Sequence, residues 1–137
     1  SVVDRAGCSD NILLRDDTFV PRDKVRHVMA AFDYAVLNTE SWTLSASGQT
    51  HVHAAHGVPL AVSRRPIYDE ALQAGALPYD VDPNSHNVTL SHVTAIAAMA
   101  TSATVRKQVK NDMLVFGRKT GWDKIAEKHR KIYKALV

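Results

Sequence analysis

The chain has 137 residues, is 45% apolar and 23% charged, and carries a net charge of +3. That balance is globular rather than disordered, the length suffices for one core, and a single domain over 1–137 is expected. No apolar run approaches the roughly 20 residues that cross a bilayer, and no charged leader precedes an apolar stretch, so neither a spanning segment nor a secretory signal is expected.

One cysteine, Cys8, excludes an intrachain disulfide and fits a reducing compartment, with an intersubunit bridge left open. Charge is uneven along the chain. Residues 1–102 hold seven basic against eleven acidic side chains, which leaves −4, and residues 103–137 hold ten against three, which leaves +7. A basic block of this kind can track phosphates or can simply be a solvated helix face.

Taken in order, Ser1-Val2-Val3, Asn11-Ile12-Leu13-Leu14 and Asp16 to Val20 are β-prone runs separated by turn formers, and predict a hairpin over 1–20. In Pro21 to Leu37, Val25, Val28, Met29, Phe32 and Val36 recur at helical steps behind a proline suited to a first turn. Ser41 to Ser47 alternates, with Trp42, Leu44 and Ala46 opposed to Thr43, Ser45 and Ser47. Thr50 to Ala54 alternates again, and Gly57 and Pro59 interrupt pairing as a bulge would. Leu60 to Val62 is an apolar strand, Pro66 to Ala74 a short helix stopped at Gly75 or a long connection, and Pro78 to Asn84 is turn-rich. Asn87 to Val93 alternates, with Val88 and Leu90 opposed to Asn87, Thr89 and Ser91.

The last third changes period. Ser102 caps a helix with Val105, Val109, Met113 and Phe116 on one stripe, and Gly117 can end it. Thr120 caps a second helix carrying Trp122, Ile125, Ala126, His129, Ile132, Tyr133 and Leu136 in register.

Residues with chemistry are few. His51, His53 and His56 form an H-x-H-x-x-H cluster, and on a strand His51 and His53 share a face. No cysteine or carboxylate lies close by in sequence to complete a zinc set, so His86 or His92 would have to be recruited. Nothing near Cys8 marks an activated thiol, and no P-loop glycine pattern is present. Neither a metal nor an organic cofactor is expected.

Ala55 to Pro59 with Leu77 to Leu90 resembles His-metal finger nucleases of the toxin type. That resemblance implies His56 activating water, Asn87 orienting it and His92 as a metal ligand.

A second resemblance covers nearly the whole chain. Thr18-Phe19-Val20-Pro21-Arg22, the strand-like Ser41 to Ser47 and Asn87 to Ser91, and the terminal helix pair are together similar to coat proteins of single-stranded RNA bacteriophages, the levivirus type. The resemblance implies an α+β fold: an N-terminal β-hairpin, a five-stranded antiparallel sheet over 41–96, and two C-terminal helices over 102–137, interlocked in a two-fold dimer. It implies a non-catalytic structural protein that dimerises, builds an icosahedral shell in the bacterial host cytoplasm, resides in the virion and binds genomic RNA hairpins. No membrane partner is implied. Thr43, Ser45, Ser47, Asn87 and Thr89 would face the RNA. Strand alternation adds His51, His53, Arg64 and Arg65 to that face. Trp122, Ile125, Ile132 and Tyr133 would be buried against the second subunit.

Overall fold

The computed structural model describes residue 7 and residues 19–39, 46–81 and 88–136. Its elements in chain order are α1 (Arg22–Ala30), β1 (Ala35–Leu37), α2 (Gly48–Ala55), β2 (Leu60–Ser63), a 3₁₀ turn (Pro66–Tyr68), α3 (Asp69–Gln73) and β3 (Leu77–Tyr79), followed by α4 (Val88–Thr101), α5 (Ala103–Thr120) and α6 (Trp122–Ala135). The three strands form one sheet in the order β1-β2-β3, and both pairings are parallel.

This corrects the expected five-stranded antiparallel sheet with two helices. The described chain is a succession of β-α-β units with helices packed on a small parallel sheet. The central strand accounts for the difference. Leu60, Ala61, Val62 and Ser63 are all buried. A strand buried on both faces reads as a continuous apolar run and is typical of a parallel sheet covered by helices, whereas a half-exposed antiparallel strand alternates.

Two segments expected as strands are helices. Thr50 to Ala54 lies within α2, and Val88 to Val93 lies within α4. Short apolar–polar alternations such as these also fit a helix with small side chains, and tertiary packing decides between the two. The hairpin strands up to Thr18, residues 41–45 of the strand expected over Ser41 to Ser47, and Asn87 fall outside the described residues, and Ala46 and Ser47 belong to no strand. Phe19, Val20 and Pro21 belong to no strand, and Arg22 opens α1.

Other expectations hold, the helix read over 21–37 only in its first part. Helix α1 covers the first part of the amphipathic segment read over 21–37, and the chain then enters β1. Ser102 caps α5, its Oγ accepting from the Val105 N–H at 3.2 Å. Val109, Met113 and Phe116 are buried along α5 as their spacing requires. Gly75 follows the short helix α3.

Gly57 and Gly75 play the same part in successive units. Gly57 has φ +68° and Gly75 φ +110°, the region open to glycine at little cost. After α2, the Gly57 N–H donates to the Ala54 carbonyl at 3.0 Å and the Val58 N–H to the His53 carbonyl at 3.0 Å. After α3, the Gly75 N–H donates to the Leu72 carbonyl at 3.1 Å and the Ala76 N–H to the Ala71 carbonyl at 2.9 Å. Both are Schellman endings, and each delivers the chain into the next parallel strand. The bulge expected at Gly57 is therefore a helix terminus.

The core joins the sheet to the later helices. Leu60, Val62, Tyr79, Met99, Met113 and Phe116 belong to one buried cluster. Helix α5 lies along α2, and α4 packs on β3 and β2. The Arg106 guanidinium ties α4 to α5, donating to the carbonyls of Met99 at 2.6 Å and Ala100 at 2.8 Å. A cation on the last carbonyls of α4 suits their partial negative charge.

Candidate ligand site at the carboxyl edge of the sheet

A parallel sheet sends all its strands out at one edge, and open α/β folds bind ligands beyond that edge where the strand order reverses. The order β1-β2-β3 has no reversal among the described residues, so the edge rests on its side chains alone. Here the strands end at Leu37, Ser63 and Tyr79. The next residues are Asn38 and Thr39, then Arg64 and Arg65, then Asp80 and Val81.

These strand ends are tied laterally. The Ser63 hydroxyl is buried between strands, accepting from the Thr39 N–H at 3.4 Å and lying 3.5 Å from the Thr39 carbonyl. The Tyr79 hydroxyl donates to the Leu37 carbonyl at 2.7 Å, reaching across β2 from one outer strand to the other. The Arg64 N–H donates to the Tyr79 carbonyl at 2.8 Å. The Asp80 N–H donates to Ser91 Oγ at 2.8 Å, which ties the end of β3 to the first turns of α4. Tyr79 is 1% exposed. Burial, with a smaller contribution from Tyr68, pushes its phenol up to about 12.

The two arginines divide the edge between them. Arg65 is buried at 5% exposure, and its Nη2 donates to the Val81 carbonyl at 3.3 Å. Arg64 is exposed at the end of the central strand. Arg65 thus fixes the loop after β3, and Arg64 offers a cation to solvent between the ends of the outer strands.

Among the described residues, those expected on an RNA-facing sheet do not share a face. Thr43, Ser45 and Asn87 lie outside the described residues. Ser47 is buried before α2, and Thr89 is exposed on α4. His51 and His53 sit on α2 and point to different partners. The His51 ring stacks on Phe116 with centroids 5.2 Å apart, and its Nδ1 bonds Thr120 Oγ1 at 3.1 Å. The His53 ring stacks on Phe32 at 6.4 Å, and its Nδ1 lies 2.8 Å from the Gln49 carbonyl. Their common face required a strand, and a helix turns them about 200° apart.

Of the residues implied for a nuclease, His56 and His92 are described. His56 is the exposed C-cap of α2 with Nδ1 at 2.9 Å from the Val52 carbonyl, and Asn87 lies outside the described residues. His92 packs on Tyr79, ring centroids 4.5 Å apart. Among the described residues no group of three or more histidines, cysteines or carboxylates could hold a metal ion.

Of the residues expected at a subunit interface, Trp122, Ile132 and Tyr133 are exposed in the single chain and Ile125 is half-buried. Sequence reasoning placed Arg64 and Arg65 together on one strand face and did not single out Ser63, Tyr79 or Asp80. The available signal was the unbroken Leu60-Ala61-Val62-Ser63 run followed at once by two arginines. Comparison with known protein families, with curated proteins and with solved structures yields no match.

Proposed function

We propose that this chain binds a phosphorylated small molecule of nucleotide size at the carboxyl edge of its parallel sheet. The observation that carries the reading is the exposed Arg64 at the end of the buried central strand, flanked by Thr39 and Asp80 on the neighbouring strand ends. An arginine pairs with phosphate oxygens through two parallel N–H donors. Hydroxyl, amide and carboxylate groups at Thr39, Asn38 and Asp80 can order the sugar or base of such a ligand. The antiparallel sheet that supported a coat-protein and RNA-hairpin reading is not the sheet of this chain, so those readings draw no support from the fold. The test is calorimetric titration with nucleoside mono- and diphosphates, with inorganic phosphate as the control. Saturable binding that Arg64→Ala weakens is the expected result. Equal binding by wild type and Arg64→Ala, or none by either, overturns the reading.

A further inference from the structure

Helix α6 leaves an apolar face uncovered. Trp122, Ile125, Ile132, Tyr133 and Leu136 fall on one stripe at helical spacing. Trp122 is 84% exposed, Leu136 77%, Tyr133 65% and Ile132 57%. The main packing partner of α6 is α5, and the stripe is not turned into that contact. A shallow groove lined by Ala126, His129, Arg130, Tyr133 and Lys134 lies beside it.

The remaining surface of α6 is strongly cationic. The helix carries Lys124, Lys128, Arg130, Lys131 and Lys134 against Asp123 and Glu127. Glu127 is engaged by Lys131 at 3.2 Å and more loosely by Lys124 at 4.0 Å. Lys128 and Arg130 fall at the two borders of the apolar stripe, where long aliphatic stems can lie along a hydrophobic surface while the charge reaches outward.

We infer that α6 is a membrane-surface helix, seating its Trp122–Tyr133 face at the boundary between headgroups and acyl chains of an anionic bilayer. Such helices combine an exposed apolar face bearing aromatic residues with a lysine-rich polar face, and they lie in the plane of the interface without crossing it. Tryptophan and tyrosine both favour that depth. Charge decides between a bilayer and a second copy. Two α6 helices packed by their apolar stripes would set Lys128 and Arg130 of one against the same pair of the other, whereas anionic headgroups neutralise them. This inference is independent of the ligand site at the sheet edge.

The full chain should co-sediment with vesicles of phosphatidylcholine mixed with phosphatidylglycerol, and far less with phosphatidylcholine alone. Raising salt should release it, because the headgroup attraction is screened. Each basic residue near an anionic surface contributes about fivefold in binding, so Lys128→Ala and Arg130→Ala should each weaken binding by roughly that factor. Trp122→Ser and Tyr133→Ser keep the charge and alter exposed positions, so both should fold, as circular dichroism would verify, and lose most of the binding. Absence of binding to the mixed vesicles overturns the inference. So does binding that Trp122→Ser and Tyr133→Ser leave unchanged, which would mark a merely basic surface. Dimerisation that these variants abolish, in a wild type that ignores vesicles, also overturns it and assigns the face to a second copy.

Discussion

Gly117 of α5 packs directly on the backbone of Ala54 in α2: a Cβ built on Gly117 would lie 2.8 Å from the Ala54 carbonyl carbon and 2.9 Å from its oxygen. The obstacle is backbone, which cannot swing aside as a side chain can. The glycine that sequence reasoning took for a helix terminator is therefore a contact residue within α5, which runs on to Thr120. Gly117→Ala gains helix propensity of about 1 kcal/mol but must push the two helices apart. Overpacking of this kind costs roughly 1–3 kcal/mol. The expected outcome is a net loss of stability in denaturant titration. A stabilised Gly117→Ala protein would show that the helices separate freely.

Gly57 and Gly75 should respond alike in backbone cost and differently in packing. Alanine at either position must adopt a left-handed conformation, which costs roughly 1–2 kcal/mol. At Gly57 the added Cβ would also meet Leu114 Cδ2 at 2.9 Å, the far end of a half-buried side chain, while at Gly75 it meets the Asp112 carboxylate at 2.7 Å and the Asp112 Cβ at 2.9 Å. The Leu114 tip can rotate away, whereas turning Asp112 moves its carboxylate off the bond it accepts from Gln108 Nε2 at 3.0 Å and leaves its Cβ in place. Gly75→Ala should therefore lower the denaturation midpoint more than Gly57→Ala.

The same glycines show what the sequence disclosed and what it hid. Stripes of large apolar residues with period 3.6 are legible, and α5 follows from Val109, Met113 and Phe116 with its cap at Ser102. Helices built from small or polar residues are not. Helix α2 reads Gly-Gln-Thr-His-Val-His-Ala-Ala, and its apolar character lies in alanines that fit either period. Helix α4 is apolar nearly all round, so it carries no stripe to recognise. The decisive cue was available at His56-Gly57-Val58-Pro59-Leu60 and Ala74-Gly75-Ala76-Leu77, where a helix end, a glycine and an apolar strand recur. The candidate site shared this fate. Arg64 and Arg65 were visible as a pair, but only parallel strand ends bring Thr39 and Asp80 beside them.

Tyr79 links the edge of the sheet to pH. Its phenol is neutral when donating to the Leu37 carbonyl, and its folded value is pushed up to about 12 from the usual 10.0. A value raised in the folded state contributes stability that is complete below the unfolded value and is lost as pH rises toward the folded one. Stability should fall between about pH 10 and about 12 through this group. In Tyr79→Phe that part of the alkaline decline disappears. The variant should also be less stable at neutral pH by roughly 1 kcal/mol, since the half-buried Leu37 carbonyl loses this donor. Parallel urea titrations of both proteins across this range check both statements. An unchanged alkaline slope in Tyr79→Phe would assign the decline to other groups.

Arg106 should be worth more than a surface cation. Its guanidinium donates to two carbonyls at the end of α4 while its own backbone belongs to the first turn of α5. Hydrogen bonds from a charged donor contribute roughly 1.5–3 kcal/mol. Arg106→Ala should cost within that range, and Lys107→Ala, on the exposed side of the same turn, within about 0.5 kcal/mol. Equal effects of the two substitutions would remove the tie between α4 and α5.

Arg64 and Arg65 are adjacent in sequence and should separate cleanly in experiment. Arg65 is buried and holds the carbonyl of Val81, so Arg65→Ala removes packing and a charged donor beneath the loop after β3. The expected cost is roughly 1–3 kcal/mol in unfolding free energy. Arg64 points its side chain to solvent at the same edge, and Arg64→Ala should change stability by no more than about 0.5 kcal/mol. For ligand binding the order reverses. Losing a charge-assisted phosphate contact at Arg64 should weaken nucleotide affinity on the order of tenfold, the equivalent of about 1.4 kcal/mol. Arg64→Lys should recover only part of it, since a lysine keeps the charge but cannot offer two parallel donors. Unfolding titrations and nucleotide titrations on the three variants measure both scales. If Arg64→Ala lowers stability as much as Arg65→Ala and leaves nucleotide affinity untouched, Arg64 is part of the structural edge and the ligand lies elsewhere.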